Sequence, residues 1–109
     1  GSITTVSSVA KMDSLYIMIG KKEDLIESAG KLGREVSTSS TSSTLFLFDC
    51  ISRVFFLGDD FTRELKAIHQ ATENSRIVGL ASVGEISNAG FDKTKVFNKT
   101  TLLGAVQDG

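Results

Sequence analysis

The apolar residues of this chain form two kinds of pattern, short runs or alternations and longer stretches with helical spacing. Five short patterns predict β-strands, at residues 3–9, 15–19, 45–48, 76–86 and 100–106. Two longer stretches repeat apolar positions at helical spacing, the first from Lys22 to Val36 and the second from Asp59 or Asp60 to Asn74. The predicted order of elements is therefore ββαβαββ.

This order predicts an α+β fold. Each strand–helix–strand crossover is expected to be right-handed and to make its two strands parallel, while hairpin-like connections at both ends add antiparallel strands. The central run Leu45-Phe46-Leu47-Phe48 is apolar on both sides, which makes Phe48 a candidate core residue. The sequence thus predicts a single-layer, mixed five-stranded sheet with two helices packed on one face. The opposite face would need an upstream half, a second copy or a ligand to cover it.

Length and composition limit what the chain can be. Its 109 residues suit one domain, predicted over residues 3–109, because Gly1-Ser2 resembles a tag remnant and suggests that the natural protein extends upstream. A net charge of -1 without a basic run argues against nucleic-acid binding, and no apolar run approaches the ~20 residues that span a membrane. The lack of such an apolar run predicts a protein without membrane insertion, and the single cysteine, Cys50, which cannot form an intrachain disulfide, predicts a cytoplasmic one.

Polar residues and a glycine gather where predicted strands end or begin. Because the carboxyl ends of parallel strands share one edge of a sheet, and the last strand is expected to return antiparallel to that edge, these residues are predicted to meet in a ligand site. The predicted site contains Cys50, Arg53, Gly84, Glu85, Asn98 and Thr100.

The two charged residues of this predicted site each have two interpretations, and the sequence leaves both open. Arg53 suits a ligand carboxylate, or a salt bridge to one of three nearby aspartates, Asp49, Asp59 or Asp60. Strand alternation predicts that Glu85 shares a face with the small residues Gly79 and Ala81. There Glu85 could bind a ligand ammonium group, or it could end its strand in solvent.

The uncharged residues are equally ambiguous. Cys50 could be a small core side chain, and Asn98 and Thr100 could bond either a ligand or the loop that precedes them. His69 is the only histidine, and no second metal ligand lies four residues after it. The spacing of these residues matches no catalytic or metal signature, so the residues by themselves indicate a possible site and no more, and the chain is predicted to lack catalysis, a metal and a cofactor.

Three short elements, in a fixed order, resemble the C-terminal domain of the FIST family. They are Cys50-Ile51-Ser52-Arg53, a run that ends in Gly84-Glu85-Ile86, and Asn98-Lys99-Thr100, within a resemblance from about Leu15 to Val106. The chain departs from the family pattern at three places. Ser52 replaces a glycine, Leu80-Ala81 replaces an aromatic pair, and Phe97 replaces a histidine, which puts any role of that histidine in doubt.

The resemblance implies a bacterial sensory input domain of signal transduction, with a small ligand of the amino-acid type. It also implies two partners, an upstream FIST N-terminal half and an output module such as a histidine kinase, a diguanylate cyclase or a chemotaxis transducer. Two other hypotheses remain. The uncovered sheet face could make the domain an interaction module or homodimer without a ligand of its own, or Cys50 could serve a cysteine-dependent hydrolase, which would need a nearby base.

Overall fold

The computed structural model describes residues 1, 2, 4, 16–39, 44–73, 75–88 and 93–106 of the chain. The α+β class is confirmed, with an open, mixed arrangement of five strands. A short 3₁₀ turn, Gly58–Asp60, joins the second helix to the third. The elements are α1 (Lys22–Ser39), β1 (Thr44–Cys50), α2 (Ile51–Leu57), α3 (Phe61–Ala71), β2 (Arg76–Ser82), β3 (Glu85–Ser87), β4 (Lys95–Phe97) and β5 (Thr101–Ala105).

The five strands form two sheets. Strand β1 lies in the centre of the larger sheet, whose order is β2-β1-β5, parallel to β2 and antiparallel to β5. Strands β3 and β4 pair separately as an antiparallel two-stranded sheet. The parallel pair is the one that the crossover through α3 predicts, because a strand–helix–strand unit returns the chain in its original direction.

Several strand boundaries differ from the predicted ones. The predicted strand at 76–86 is interrupted between β2 and β3, where Gly84 adopts a φ of 82°, a left-handed conformation that favours glycine. Residues 16–20 form no strand, and Tyr16 to Ile19 are more than 80% exposed. The predicted strand at 3–9 lies outside the described residues, except for Thr4, which has no regular structure.

A further difference concerns the residues directly after β1. The pattern of residues there predicts only a polar strand end, whereas α2 begins at Ile51, immediately after Cys50. This short helix turns the chain sharply and directs Arg53 and Leu57 into the interior, while Phe55 remains 78% exposed. The early start of α2 decides which groups surround Arg53.

Helices α1 and α3 pack together on one face of the larger sheet. The buried core on that side consists of Ala29 from α1, Leu47 from β1 and Ile68 from α3. Ile77 and Leu103 extend it over the neighbouring strands. Burial of these side chains is the main source of stability on this face.

The opposite face of the sheet is not covered by any described residues. Register and alternation place Phe46 and Phe48 of β1 beside Val78 and Leu80 of β2 on this face, which we call the uncovered face. These four side chains are 39–56% exposed. The prediction that Phe48 is a core residue is therefore wrong, because the helices cover only the other side of its strand. None of the described helices is long and apolar enough to cross a membrane.

Candidate functional site

Arg53 is held in a buried ionic cluster on the helix-covered side of the sheet. Its Nε donates to both carboxylate oxygens of Glu64, at 3.1 and 2.9 Å, and its Nη2 donates to Glu64 and to the Leu25 carbonyl. Arg53 is 5% exposed and Glu64 is fully buried. Of the two interpretations left open for Arg53, the structure supports a salt bridge, and the partner is Glu64 of α3, with Asp49 as a more distant neighbour.

Asp49 borders this cluster from the end of β1. Its Oδ1 lies 3.8 Å from Arg53 Nε and accepts a hydrogen bond of 3.1 Å from the Thr101 hydroxyl. Its Oδ2 is buried and has no hydrogen-bond partner among the described residues. Burial raises the pKa of Asp49 to about 7, reinforced by its interaction with the Glu64 carboxylate and opposed by Thr101 and Arg53. Two carboxyls with one guanidinium can thus retain a proton near neutral pH.

A cavity of about 830 Å³ opens beside Asp49, between α3 and the edge strand β2. Part of its floor consists of two small residues of β2, Gly79 and Ala81. They pair with Leu47 and Asp49, and their positions therefore lie on the helix-covered side. We call this space the α3–β2 cavity. Its lining residues are Leu47, Asp49, Val54, Phe61, Leu65, Lys66, Ile68, His69, Gln70, Ile77, Gly79, Leu80 and Ala81.

Glu85 lies in a second polar cluster, on the other side of the sheet's end. Its side chain is 2% exposed, and its Oε1 accepts a hydrogen bond of 2.8 Å from the Ser82 hydroxyl. Its Oε2 is buried without an assigned partner in the described ranges. Glu85 therefore does not end its strand in solvent. It also does not share a face with Gly79 and Ala81 by continuous alternation, because the turn at Gly84 separates β3 from β2.

Cys50 is the neighbour of Glu85 in this cluster. Its sulfur lies 3.1 Å from the Ser52 hydroxyl, and the thiol is 3% exposed. Burial acts to raise the pKa of Cys50, but hydrogen bonds from the Ser52 side chain and from the backbone at Lys99 and Ser52 bring it below its ordinary value. The nearby Glu85 charge opposes this lowering. Cys50 is thus a buried thiol inside a polar cluster.

The segment before β5 closes the same cluster from a third side. The Cys50 backbone N–H donates to the Thr100 carbonyl at 3.1 Å, which ties the end of β1 to the start of β5. The Thr100 hydroxyl donates to the Asn98 carbonyl, and the Asn98 side chain is exposed. Between them, Lys99 adopts a φ of 56° and places its ammonium group 4.4 Å from the centre of the Phe56 ring.

The structure divides the predicted site into two groups. Cys50, Gly84, Glu85 and Thr100 come together at the strand ends, whereas Arg53 is engaged with Glu64 across the helix-covered side. Of the three aspartates predicted as possible ion-pair partners of Arg53, the structure places Asp49 3.8 Å away. Glu64 was missed by sequence reasoning, and it could have been found because it is spaced one helical turn before Ile68.

In the described ranges, no three His, Cys, Asp or Glu side chains are grouped so that they could hold a metal ion. The arrangement instead provides two buried carboxyls with unassigned oxygens, Asp49 beside a cavity and Glu85 beside a thiol. Such groups bind hydrogen-bond donors or cations.

The family comparison agrees with the sequence resemblance. The family model described as the FIST C domain matches residues 1–88, which include the first two of the three elements and leave Asn98 and Thr100 beyond the match. No curated protein and no solved structure matches the chain. Because the matched residues make up most of the sequence, the chain belongs to the FIST C domain family of sensory domains in signal transduction.

Proposed function

We propose that this domain senses a small metabolite that carries an amino group, of the amino-acid type, and binds it in the α3–β2 cavity. The observation that carries the proposal is the cavity of about 830 Å³ that is lined in part by buried Asp49, whose Oδ2 has no hydrogen-bond partner among the described residues. Ligand sites in proteins typically have volumes of ~300–1,000 Å³ and combine apolar walls with a few polar groups that orient the ligand.

An amino group is the ligand chemistry that suits Asp49. A buried carboxyl oxygen without a hydrogen-bond donor is costly, and an ammonium group supplies both donors and the opposite charge. The Asp49 and Glu64 carboxyls face a single guanidinium, that of Arg53, so a cationic ligand would complete the charge balance of the cluster. Ligand binding would then stabilise the ionised form of Asp49.

The sequence predicted that Arg53 would bind a ligand's carboxylate, whereas here the proposed contact is between Asp49 and the ligand's amino group. Arg53 already binds Glu64 through two nitrogens, so a ligand carboxylate would have to displace a buried salt bridge. Glu85, with Cys50, Gly84 and Thr100, stays a second candidate polar site at the strand ends, and Asn98 could contact a ligand there only from its exposed position.

Signalling would follow from the position of the cavity between two elements. A ligand that contacts both α3 and β2 favours the packing in which these elements hold it, and it can shift the equilibrium only by its difference in affinity between two states. An upstream FIST half and an output module are the proposed partners that would read this change. A cytoplasmic location suits the unpaired Cys50, and the proposal involves no catalysis.

Isothermal titration of this chain with a panel of amino acids, simple amines and short peptides tests the proposal. Ala81→Leu is the decisive variant, because residue 81 is exposed on the cavity floor and a larger side chain would fill the space. Val78→Phe adds bulk on the opposite face of the same strand and is the matched control. Binding that is lost in Ala81→Leu and kept in Val78→Phe is expected. Absence of binding across the panel, or equal binding by both variants, would refute the cavity as the sensory site.

The second candidate function is an interaction module without a ligand, favoured by the uncovered face. Sedimentation equilibrium at micromolar concentration would detect the self-association that an apolar face of this kind predicts. Val78→Lys should weaken such a dimer, and Phe55→Lys, which places the same charge at an exposed apolar position on α2, should not. A monomeric wild-type chain would exclude self-association through this face under these conditions.

A further inference from the structure

An exposed apolar segment precedes α1. Residues Tyr16 to Ile19, which we call the 16–19 segment, are 82–86% exposed and belong to no helix or strand in the described ranges. Their apolar content predicts a strand, and only Gly20 and Lys21 separate them from the start of α1. A contiguous run of exposed apolar side chains on a domain marks a surface that another element covers.

The outer edge of β5 is a free position for such a strand. Among the described strands, β5 pairs with β1 on one side and with none on the other. The Cys50 N–H donates to the Thr100 carbonyl, so every second residue of β5 after Thr100 bonds to β1. The residues whose backbone groups point to the outer edge are Thr101, Leu103 and Ala105. Charged side chains and prolines protect many edge strands from pairing, and β5 contains neither.

The topology assigns the 16–19 segment to this edge. Helices α1 and α3 start side by side, where Glu23 pairs with Arg63, and both lie on the same face of the sheet. The crossover from β1 through α3 leads to β2 on one side of β1. A crossover through α1 into β1, right-handed and on the same face, must start on the opposite side, which is the side of β5. A strand in that position runs antiparallel to β5 along its outer edge, and the contact of α1 with β5 agrees with this placement.

The dimensions of the two elements match. As strands, the four residues of the segment span ~13 Å and the five residues of β5 span ~17 Å. In the structure the segment lies in solvent, and no described strand occupies the outer edge of β5 in its own sheet. Every copy carries both a segment and an edge, so two copies can exchange segments and make the same contact twice. A connection of only two residues favours this exchange over folding back onto the same chain.

We propose that the domain forms a symmetric dimer in which the 16–19 segment of each copy adds as an antiparallel strand to β5 of the other. Alternation then places two of the four side chains beneath α1 and two on the uncovered face. At on the order of 100 Å² per apolar side chain, the two segments and the surfaces that receive them bury on the order of 1,000 Å², near the lower limit for a specific interface. This dimer needs no ligand in the α3–β2 cavity, and its contact differs from self-association through the uncovered face.

Sedimentation equilibrium with matched variants tests the dimer. The wild-type chain should dimerise at micromolar concentration. Ala105→Pro removes a backbone N–H that points to the outer edge and should weaken the dimer at least tenfold, whereas Ala105→Ser keeps that N–H and should leave the dimer unchanged. The double variant Ile17→Asp and Met18→Asp places a charge on each face of the segment and should also weaken the dimer at least tenfold. Both positions are more than 80% exposed, so the double variant should fold even if Ala105→Pro does not.

Two results of sedimentation would overturn the proposal. The first is a wild-type chain that stays monomeric at these concentrations. The second is a dimer that Val78→Lys dissociates while Ala105→Pro and the double variant leave it intact, because the contact would then lie on the uncovered face.

Amide hydrogen exchange, measured by NMR, distinguishes a segment that pairs with a second copy from one that docks on its own chain. The Leu103 N–H should be protected only at concentrations at which the dimer is populated. The Leu102 and Gly104 N–H groups bond to β1 and should be protected at every concentration. Protection of Leu103 in the monomer would show docking on the same chain, and absence of protection in the dimer would exclude the outer edge of β5. Either result would overturn the proposal.

Discussion

Asp49→Asn provides a direct test of the charge balance at the cavity. Burial and the Glu64 carboxylate raise the pKa of Asp49 from 3.8 to about 7. As the pH rises from about 4 to 7, the unfolded chain releases this proton while the folded chain keeps it, so the free energy of unfolding should fall across this window. Above pH 7 this loss in the free energy of unfolding has reached its full size, and below pH 4 there is no such loss.

The size of the effect follows from the same values. Each pH unit between the two pKa values corresponds to ~1.4 kcal/mol, so the separation from 3.8 to about 7 corresponds to ~4 kcal/mol at most. Asparagine keeps the shape of the side chain and its acceptor for Thr101, but it loses the attraction between ionised Asp49 and Arg53. We therefore expect Asp49→Asn to be more stable than wild type by ~2–4 kcal/mol at pH 8 and equal to it near pH 4.

Urea denaturation of both proteins between pH 4 and pH 8 measures this difference. Carboxyls distant from Asp49 contribute equally to both proteins and cancel in the comparison, so the measured difference belongs to Asp49 together with its neighbour Glu64. Asp59→Asn, in the exposed turn before α3, is the control and should leave the slope between pH 4 and pH 7 unchanged. Parallel curves for wild type and Asp49→Asn across the whole range would show that Asp49 does not retain a proton in the fold, and the proposed charge balance would then fail.

Four further outcomes are expected from the packing and the two polar clusters. Leu47→Ala should cost ~2–5 kcal/mol, because its side chain is 5% exposed in the core, whereas Phe48→Ala should cost less than ~2 kcal/mol at 41% exposure; equal losses in urea denaturation would contradict the one-sided core. Gly79→Ala should cost ~1–3 kcal/mol, since a Cβ there would lie 2.8 Å from Leu47 Cβ, and an unchanged urea midpoint would argue against this close approach. Glu64→Gln should flatten the pH dependence of the free energy of unfolding between pH 4 and pH 7, because Asp49 then becomes the ionised partner of Arg53. An unchanged slope would show that Asp49 does not take over this role. Glu85→Gln should lower the pKa of Cys50 further, because the Glu85 charge acts to raise it, and thiolate absorbance measures this pKa. An unchanged thiol titration would show that the Glu85 charge does not act on Cys50.

The sequence by itself determined the class of the fold and one of its main consequences. The helical spacing from Lys22 onward and the apolar run at Leu45 to Phe48 gave α1, α3 and β1 close to their observed positions. The count of two covering helices against a strand apolar on both sides predicted the uncovered face. These features follow from local periodicity and from the need to bury apolar side chains, which a sequence records directly.

The boundaries that depend on a turn were not determined in this way. The predicted strand at 76–86 is continuous in its apolar content, and only the left-handed conformation at Gly84 shows where β2 ends. That break turns Glu85 away from Gly79 and Ala81 and places it beside Cys50. Alternation along a strand holds only while the strand is uninterrupted.

Only the tertiary structure decided which charged groups meet. Arg53 lies in a helix that begins directly after β1, and this start directs its guanidinium to Glu64, eleven residues later, while Asp49 is left with an unassigned oxygen beside the cavity. No local pattern fixes such a pairing, because it depends on how α2 and α3 are oriented over the sheet. The strength of a buried charge interaction makes that orientation decisive, since the arginine can satisfy only the partners that the packing brings within reach.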